Sequence, residues 1–275
     1  MVESQELGDL RLARKVNLRS FNAVIAFSGW PDAKRVATYA AEYLIARLKA
    51  DKIGEIDSTA FYDFAIQRPP VNIQKGLIKE YRLPRNELYA FISKTASSNL
   101  LVLVGEEPHT NWFRYVESVL RILELGKVNR ICLLGGLIDR IPHTVEPLVS
   151  GVATAPELVE EMKLHGIEPT DYAGPSGIHS LMISECTRRG VSAFSLWGHV
   201  PTYIKDVDAR TAYQLLCKVK AIVGVDIDLE DIRQEGNLLR KQLDAAMEHD
   251  RSFSEAVRQL EFEFKVARRK PDYIT

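Results

Sequence analysis

The sequence predicts an α/β protein: a mixed, mostly parallel sheet flanked by helices, with a C-terminal helical extension. Three observations carry that expectation. Short apolar runs rich in β-branched residues recur through residues 1–225. Segments with apolar residues at helical spacing lie between them. Beyond Gly224 the chain turns to Glu, Asp, Arg and Lys with a sparse apolar stripe. Strands alternating with amphipathic helices are the pattern of a sheet covered on both faces. The expected division is an α/β core over 1–225 and a charged extension over 226–275.

Val24-Ile25-Ala26-Phe27, bounded by Gly29 and Pro31, predicts the first buried strand. Asp32 then opens a helix with Val36, Tyr39, Ala40, Tyr43, Leu44 and Leu48 on one stripe. A carboxylate there accepts orphan amide protons and suits the positive end of the helix dipole. Ile53 to Tyr62 reads as a second strand, broken by Gln67-Arg68-Pro69-Pro70 and followed by a loop. Glu87 to Ser93 alternates apolar and polar residues, as a half-exposed strand does. Leu100 to Val104 is the continuous run of a central strand. Ala96-Ser97-Ser98-Asn99 between them suggests a hairpin.

Trp112 to Leu125 is amphipathic through Phe113, Val116, Val119, Leu120 and Leu123. Arg130 to Leu134 is another buried strand, ended by Gly135-Gly136. Val145 to Thr154 reads as a strand, and Pro156 to His165 as a helix with proline in its first turn. Gly177 to Arg189 is a helix, Val191 to Trp197 a strand and Ala209 to Val223 a helix. Two helices follow: one over Asp228 to Asp250 with Leu229, Ile232, Leu239, Leu243 and Met247, and one over Phe253 to Ala267. Stripes this narrow belong to helices that pack on something else, either their own domain or another subunit.

Hydrophobic residues make up 46% of the chain and charged residues 27%, enough apolar material for a core. A net charge of -1 offers no broad basic face for phosphates, so nucleic acid is not an expected partner. Arg268-Arg269-Lys270 reads as a solvated cluster. No apolar stretch approaches the roughly 20 residues of a membrane helix, so no membrane partner is expected. Cys132, Cys186 and Cys217 stand far apart without a CxxC pair or metal-ligand spacing, which suits a reducing compartment. Met1 to Leu10 is polar and acidic, unlike a signal peptide, and a cytoplasmic location is the expectation.

Five polar clusters stand directly after predicted strands or open a helix. They are Gly29-Trp30-Pro31-Asp32; Gly105-Glu106-Glu107-Pro108-His109; Gly135-Gly136 with Pro142-His143-Thr144; Gly174-Pro175-Ser176-Gly177; and Gly198-His199-Val200-Pro201-Thr202-Tyr203. Parallel strands deliver such loops to one edge of a sheet, where ligand sites of open α/β folds form. Trp30, Trp112 and Trp197 each sit close to one of these loops and read as a ligand wall, a subunit contact or core packing. Asp32, Glu106, Glu107, His143, Thr144, Ser176, His199 and Tyr203 are candidate polar groups, whose carboxylates and imidazoles would supply acid/base groups. The Gly135, Gly136, Gly174 and Gly177 backbones are candidate anion holders, the last two at a helix N-terminus. Each cluster also reads as an ordinary Gly/Pro turn.

Known catalytic patterns are absent. Gly174-Pro175-Ser176-Gly177 is not GxSxG, and no GxxxxGK[ST], GxGxxG or HExxH occurs. No metal and no cofactor is expected.

In order along Phe21 to Val225, these segments resemble the proteasome assembly chaperone 2 family. The likeness rests on Gly29-Trp30-Pro31-Asp32-Ala33, Leu103 to Pro108 with Trp112, Leu134-Gly135-Gly136, Pro142-His143-Thr144, Gly174 to Ile178, and Leu196 to Tyr203. The helical tail is similar to that of bacterial-type members. The resemblance implies a fold like that of nucleoside phosphorylases and related hydrolases, and a homo-oligomer. The expected partners are further copies of this chain, in a trimer or larger assembly, with a protein partner besides. Some relatives are described as ATP-grasp proteins, but no such pattern of paired domains, lysine and metal-binding carboxylates occurs here. The ending Pro271-Asp272-Tyr273-Ile274-Thr275 is not the hydrophobic-Tyr-X motif by which some relatives dock on the proteasome.

Two functions from different classes follow. One is a chaperone-like binding or assembly protein acting as a homo-oligomer. The alternative is an enzyme or ligand binder for a nucleoside-like or anionic compound, with Glu106, His143, Ser176 and His199 converging at the strand ends.

Overall fold

The computed structural model describes residues 5–13, 20–93 and 99–268. The Ala96-Ser97-Ser98 part of the expected hairpin connection, Arg269-Lys270 and the Pro271–Thr275 ending lie outside the described residues, as do residues 1–4.

The strands, in chain order, are β1 (Gln5–Leu7), β2 (Leu10–Leu12), β3 (Asn22–Ser28), β4 (Asp51–Ile56), β5 (Val71–Gln74) and β6 (Leu77–Tyr81). Then come β7 (Asn86–Phe91), β8 (Leu100–Glu106), β9 (Ile131–Asp139), β10 (Val149–Ala153), β11 (Glu168–Pro169) and β12 (Ala193–Pro201). Ten of them form one sheet in the order β1-β2-β4-β7-β8-β3-β9-β12-β10-β11. The helices are α1 (Val36–Leu48), α2 (Trp112–Leu125), α3 (Pro156–Leu164), α4 (Ile178–Arg188), α5 (Ala209–Val223), α6 (Glu230–His249) and α7 (Arg251–Arg268).

The α/β class, the mixed sheet and the C-terminal helices are as expected. The parallel share is smaller than expected. The parallel block is the centre, β8-β3-β9-β12, with a short β10-β11 pair at one edge. The other five pairings are antiparallel. Tight links such as β1–β2 can join only antiparallel neighbours, whereas strands running the same way need a crossover, as α2 provides between β8 and β9 on either side of β3.

Each face of the sheet buries its own core. Val24, Ala26, Val102, Cys132, Leu134 and Leu196 point to the face covered by α1, α3 and α5, where Ile232 of α6 joins them. Ile25, Phe27, Leu101, Leu103 and Leu133 point to the face covered by α2 and α4. Cys132 is fully buried core, and burial pushes its thiol up to about 12.

Two strands run further than the sequence suggested. β9 continues through Gly135-Gly136 to Asp139 instead of ending there. These glycines mark close approaches. A Cβ on Gly135 would lie 2.7 Å from the Trp197 ring, and one on Gly136 would lie 2.4 Å from Val36 Cγ2. β12 likewise continues through Gly198 and His199 to Pro201. Conversely, the strand expected over Ile53 to Tyr62 stops at Ile56, because Asp57 turns the chain by accepting from the Thr59 amide.

The loop expected after Pro70 contains a hairpin. β5 and β6 pair with each other and with nothing else in the described sheets. Lys75 and Gly76 form its two-residue turn, both at positive φ, as such hairpins require. Val71, Ile73, Leu77, Ile78 and Tyr81 are all exposed on it.

The charged extension packs on its own chain. Ile232, Val257 and Leu260 are buried, and Gly236 of α6 lies against the Arg210 backbone of α5. Arg47 of α1 pairs with Asp228 and Asp231 at the entry to α6.

Candidate functional site

The parallel centre does deliver the polar clusters to its carboxyl edge, but they separate into distinct networks. The first surrounds Glu107. Its Oε1 accepts from the Ile178 amide at 2.9 Å, at the start of α4, and its carboxylate accepts from the Trp30 amide as well. Burial raises its pKa, and those two amide bonds pull it back down. Gly177 must stay small here, since a Cβ would lie 2.9 Å from Glu107 Oε1 and 3.1 Å from Trp30.

Asp32 plays the same part at α1. Its Oδ1 accepts from the Ala37 amide at 2.8 Å, and Oδ2 takes the Thr38 hydroxyl. A short 3-10 turn separates Asp32 from the helix, so the carboxylate caps from outside and is not the N-cap residue itself. Burial raises this carboxyl too, against the hydrogen bonds that favour its charge. At α5 Asp208 is the N-cap, accepting from the Arg210 and Thr211 amides. Three helix N-termini near this edge are thus filled by the chain's own carboxylates. An incoming anion at Gly177 would meet Glu107, so the expected anion cradle at Gly174–Gly177 is already occupied. Gly174 and Ser176 sit in an exposed loop that Tyr172 closes by donating to the Pro175 carbonyl.

The second network surrounds His143. The His143 amide donates to Tyr203 Oη at 2.5 Å, and Nδ1 lies 2.7 Å from the same oxygen. Tyr203 has one proton, which goes to Nδ1. Nε2 then carries the ring proton and faces Asp244 of α6 at 3.3 Å. Arg210 donates to the His143 and Val145 carbonyls. Phe253 stacks on the His143 ring, and Thr144 donates to Glu261 of α7. His143, Thr144 and Tyr203 therefore seat the tail, and burial keeps the imidazole below its usual pKa.

The third network contains His199. Its Nδ1 is 2.7 Å from Asp139 Oδ2 and its Nε2 2.8 Å from Ser150 Oγ. Glu106 belongs elsewhere again: Gln67 donates to its carboxylate, at the base of the hairpin. Trp30 stands exposed at 62% and meets Trp197 edge-on at 6.1 Å between ring centroids. Trp197 covers Gly135 on one side and touches buried His179 on the other.

Glu106, His143, Ser176 and His199 thus do not share one hydrogen-bonded site. Sequence reading missed Asp139, Ser150 and Arg210. Asp139 lay beyond a strand thought to end at Gly136, and Ser150 inside an ordinary strand. Only its partner, across the sheet, makes Ser150 polar in purpose. A cavity of about 520 Å³ opens at the base of the hairpin, between Arg68, Pro69, Pro70, Leu83, Pro84 and Glu106. Another of about 190 Å³ lies between α5 and α6, beside Arg210, Arg233 and Arg240. Among the described residues no group of three or more His, Cys, Asp and Glu is arranged to hold a metal ion. No helix among them is long and apolar enough to cross a membrane.

Comparison with known proteins gives the fold a lineage. No curated protein matches the sequence. A Mycobacterium tuberculosis proteasome-assembly chaperone homologue superposes with a TM-score of 0.79 at 27% identity, over 86% of this chain and 100% of that one. A PAC2 family protein from Streptomyces avermitilis gives 0.74 at 29% identity, over 81% and 94%. PbaB, a proteasome activator of Pyrococcus furiosus, shares the fold at 0.69 and 23% identity, over 90% and 99%. The family model of PAC2 matches residues 26–247, from the first central strand into α6. The chain belongs to the PAC2 family.

Proposed function

We propose that this protein is a chaperone-like binding protein that acts as a homo-oligomer and engages other proteins through the β5–β6 arm. One observation carries the reading. Two short strands present Val71, Ile73, Leu77, Ile78 and Tyr81 to solvent, with no core of their own. An isolated two-stranded hairpin is marginal in water, and a cluster of exposed aliphatic side chains marks a contact surface. The groove at the arm's base, lined by three prolines and flanked by Arg68, Arg82 and Glu106, suits an extended peptide segment. Relatives described as a proteasome-assembly chaperone homologue and an archaeal proteasome activator support an assembly role.

Light scattering on the full chain tests the oligomer. A mass that is a multiple of 31.0 kDa, three or more, is expected. Replacing Val71, Ile73, Leu77 and Ile78 by Ser should reduce that mass or abolish capture of partner proteins. A monomer at micromolar concentration, unchanged by the substitutions, sinks the proposal.

A further inference from the structure

We infer that Ser150, His199 and Asp139 form an acyl-transfer centre, in which Ser150 attacks small uncharged carboxylic esters. The three groups come from different strands. Ser150 lies on β10 directly opposite Trp197 of β12, and His199 is two residues further along β12. Asp139 closes β9, which runs parallel beside β12. All three side chains meet on the sheet face that carries Trp197.

The hydrogen bonds fix the roles. A neutral imidazole has one N–H. The carboxylate at 2.7 Å can only accept, so Nδ1 carries the proton and donates to Asp139. Nε2 is then a free acceptor, 2.8 Å from Ser150 Oγ, and receives the hydroxyl proton. That is the tautomer and the order of contacts that general-base activation of serine needs. Arg140 donates its amide to the other Asp139 oxygen at 2.6 Å, which holds the carboxylate in place. Asp139 is a positioning residue, while Ser150 and His199 touch the reacting atoms.

The step balances without a cofactor. Ser150 Oγ bonds to the ester carbonyl carbon as its proton passes to His199 Nε2. Collapse breaks the carbon–alkoxy bond, and the leaving alcohol takes that proton. Water, deprotonated by Nε2, then attacks the acyl-serine and returns the proton to Ser150 as the carboxylic acid leaves.

Ser150 is only 8% exposed, so a small acyl group alone can reach its Oγ. Val152, on the same face of β10 two residues on, is exposed, and Trp197 with Trp30 offers an indole wall. The Asp139 carboxylate disfavours anionic substrates. Ser150 sits mid-strand and not on a sharp turn that aims an amide pair at the oxyanion. Loss of one oxyanion donor costs about 100- to 1000-fold in rate, so slow turnover and a preference for activated esters are expected.

All three residues lie in one chain, on strands other than the β5–β6 arm. The test is labelling of the full chain with a short-chain alkyl fluorophosphonate, read by intact mass and peptide mapping, together with p-nitrophenyl acetate hydrolysis. One adduct on Ser150 is expected. Ser150→Ala should abolish it, and His199→Gln should slow labelling about 100-fold. Asp139→Asn should slow it less and displace its pH profile. No adduct on the wild-type chain, an adduct on another residue, or equal labelling rates in His199→Gln and wild type overturns the assignment. Mapping the wild-type adduct decides the matter even if Ser150→Ala does not fold.

Discussion

The β5–β6 arm and the α6–α7 tail invert what their compositions suggest. The tail is the charged, apolar-poor part of the chain, yet it docks. The arm is short and rich in aliphatic residues, yet it projects. The difference lies in geometry and partners. A helix can aim every third or fourth residue at one line of contact, and Ile232, Val257 and Leu260 suffice to fill it. A two-stranded ribbon turns successive side chains to opposite faces, so it needs cover on both sides to bury them. Charge then secures the tail: Arg47 holds Asp228 and Asp231, and Arg140 holds Glu263. Exposed pairs of this kind are each worth roughly 0–1 kcal/mol, so the buried contacts carry the docking.

If the tail is structural and the arm is not, their substitutions should separate on a stability scale. Ile232→Ala removes a fully buried side chain from the core and should cost about 3 kcal/mol in urea unfolding. A cost below about 1 kcal/mol would show the tail to be loosely attached. Arg210→Ala strips the His143 and Val145 carbonyls of their donor and should cost about 2 kcal/mol. A double substitution with Tyr203→Phe should be less than additive, because both act on the His143 loop.

Acid should loosen the tail before the arm. Burial lowers the His143 pKa, opposed by Asp244 and reinforced by Arg210 and Arg240. The folded state therefore binds fewer protons than the unfolded chain just below pH 6.5. Stability present above that value is lost as pH falls toward the folded pKa. Buried His179, pushed down to about 3, adds a steeper loss in the same direction. Urea midpoints at pH 7.5 and 5.5 should differ in wild type, and less so in His143→Gln. An unchanged difference in that variant would remove His143 from the account. The smallest effect belongs to the arm. Replacing Ile73 and Leu77 by Ser should change monomer stability by no more than about 0.5 kcal/mol. A large destabilisation would mean that the arm is buried by its own chain.

Much of the fold was legible. Trp112 to Leu125 is a helix over that same span, and Leu100 to Val104 is a central strand. Their signals are local periods of 3.6 and of continuous burial, written within a dozen residues. Less of the candidate site was legible. Glu107 announces a carboxylate after a strand, but nothing nearby says that Ile178, 71 residues on, supplies its hydrogen bond. Gly105 reads as a turn glycine, yet it must lack a Cβ because Asn86 lies over it, 1.9 Å from where that atom would be. Asn86 is held there by the Tyr115 and Tyr62 hydroxyls, from two further segments.

The amino-acid order alone determined the helices α1 to α7, the central strands β3, β8, β9 and β12, and that both faces of the sheet would be covered, whereas β1, β2, β11 and the β5–β6 hairpin were not legible in it. Tertiary structure alone decided that Glu107 would cap α4, that His143 would seat the tail, and that His199 would join Ser150 to Asp139. The reason is the range of the forces. Backbone preference and apolar period act over a few residues, whereas a hydrogen bond between groups far apart in sequence exists only once the sheet has brought their strands together.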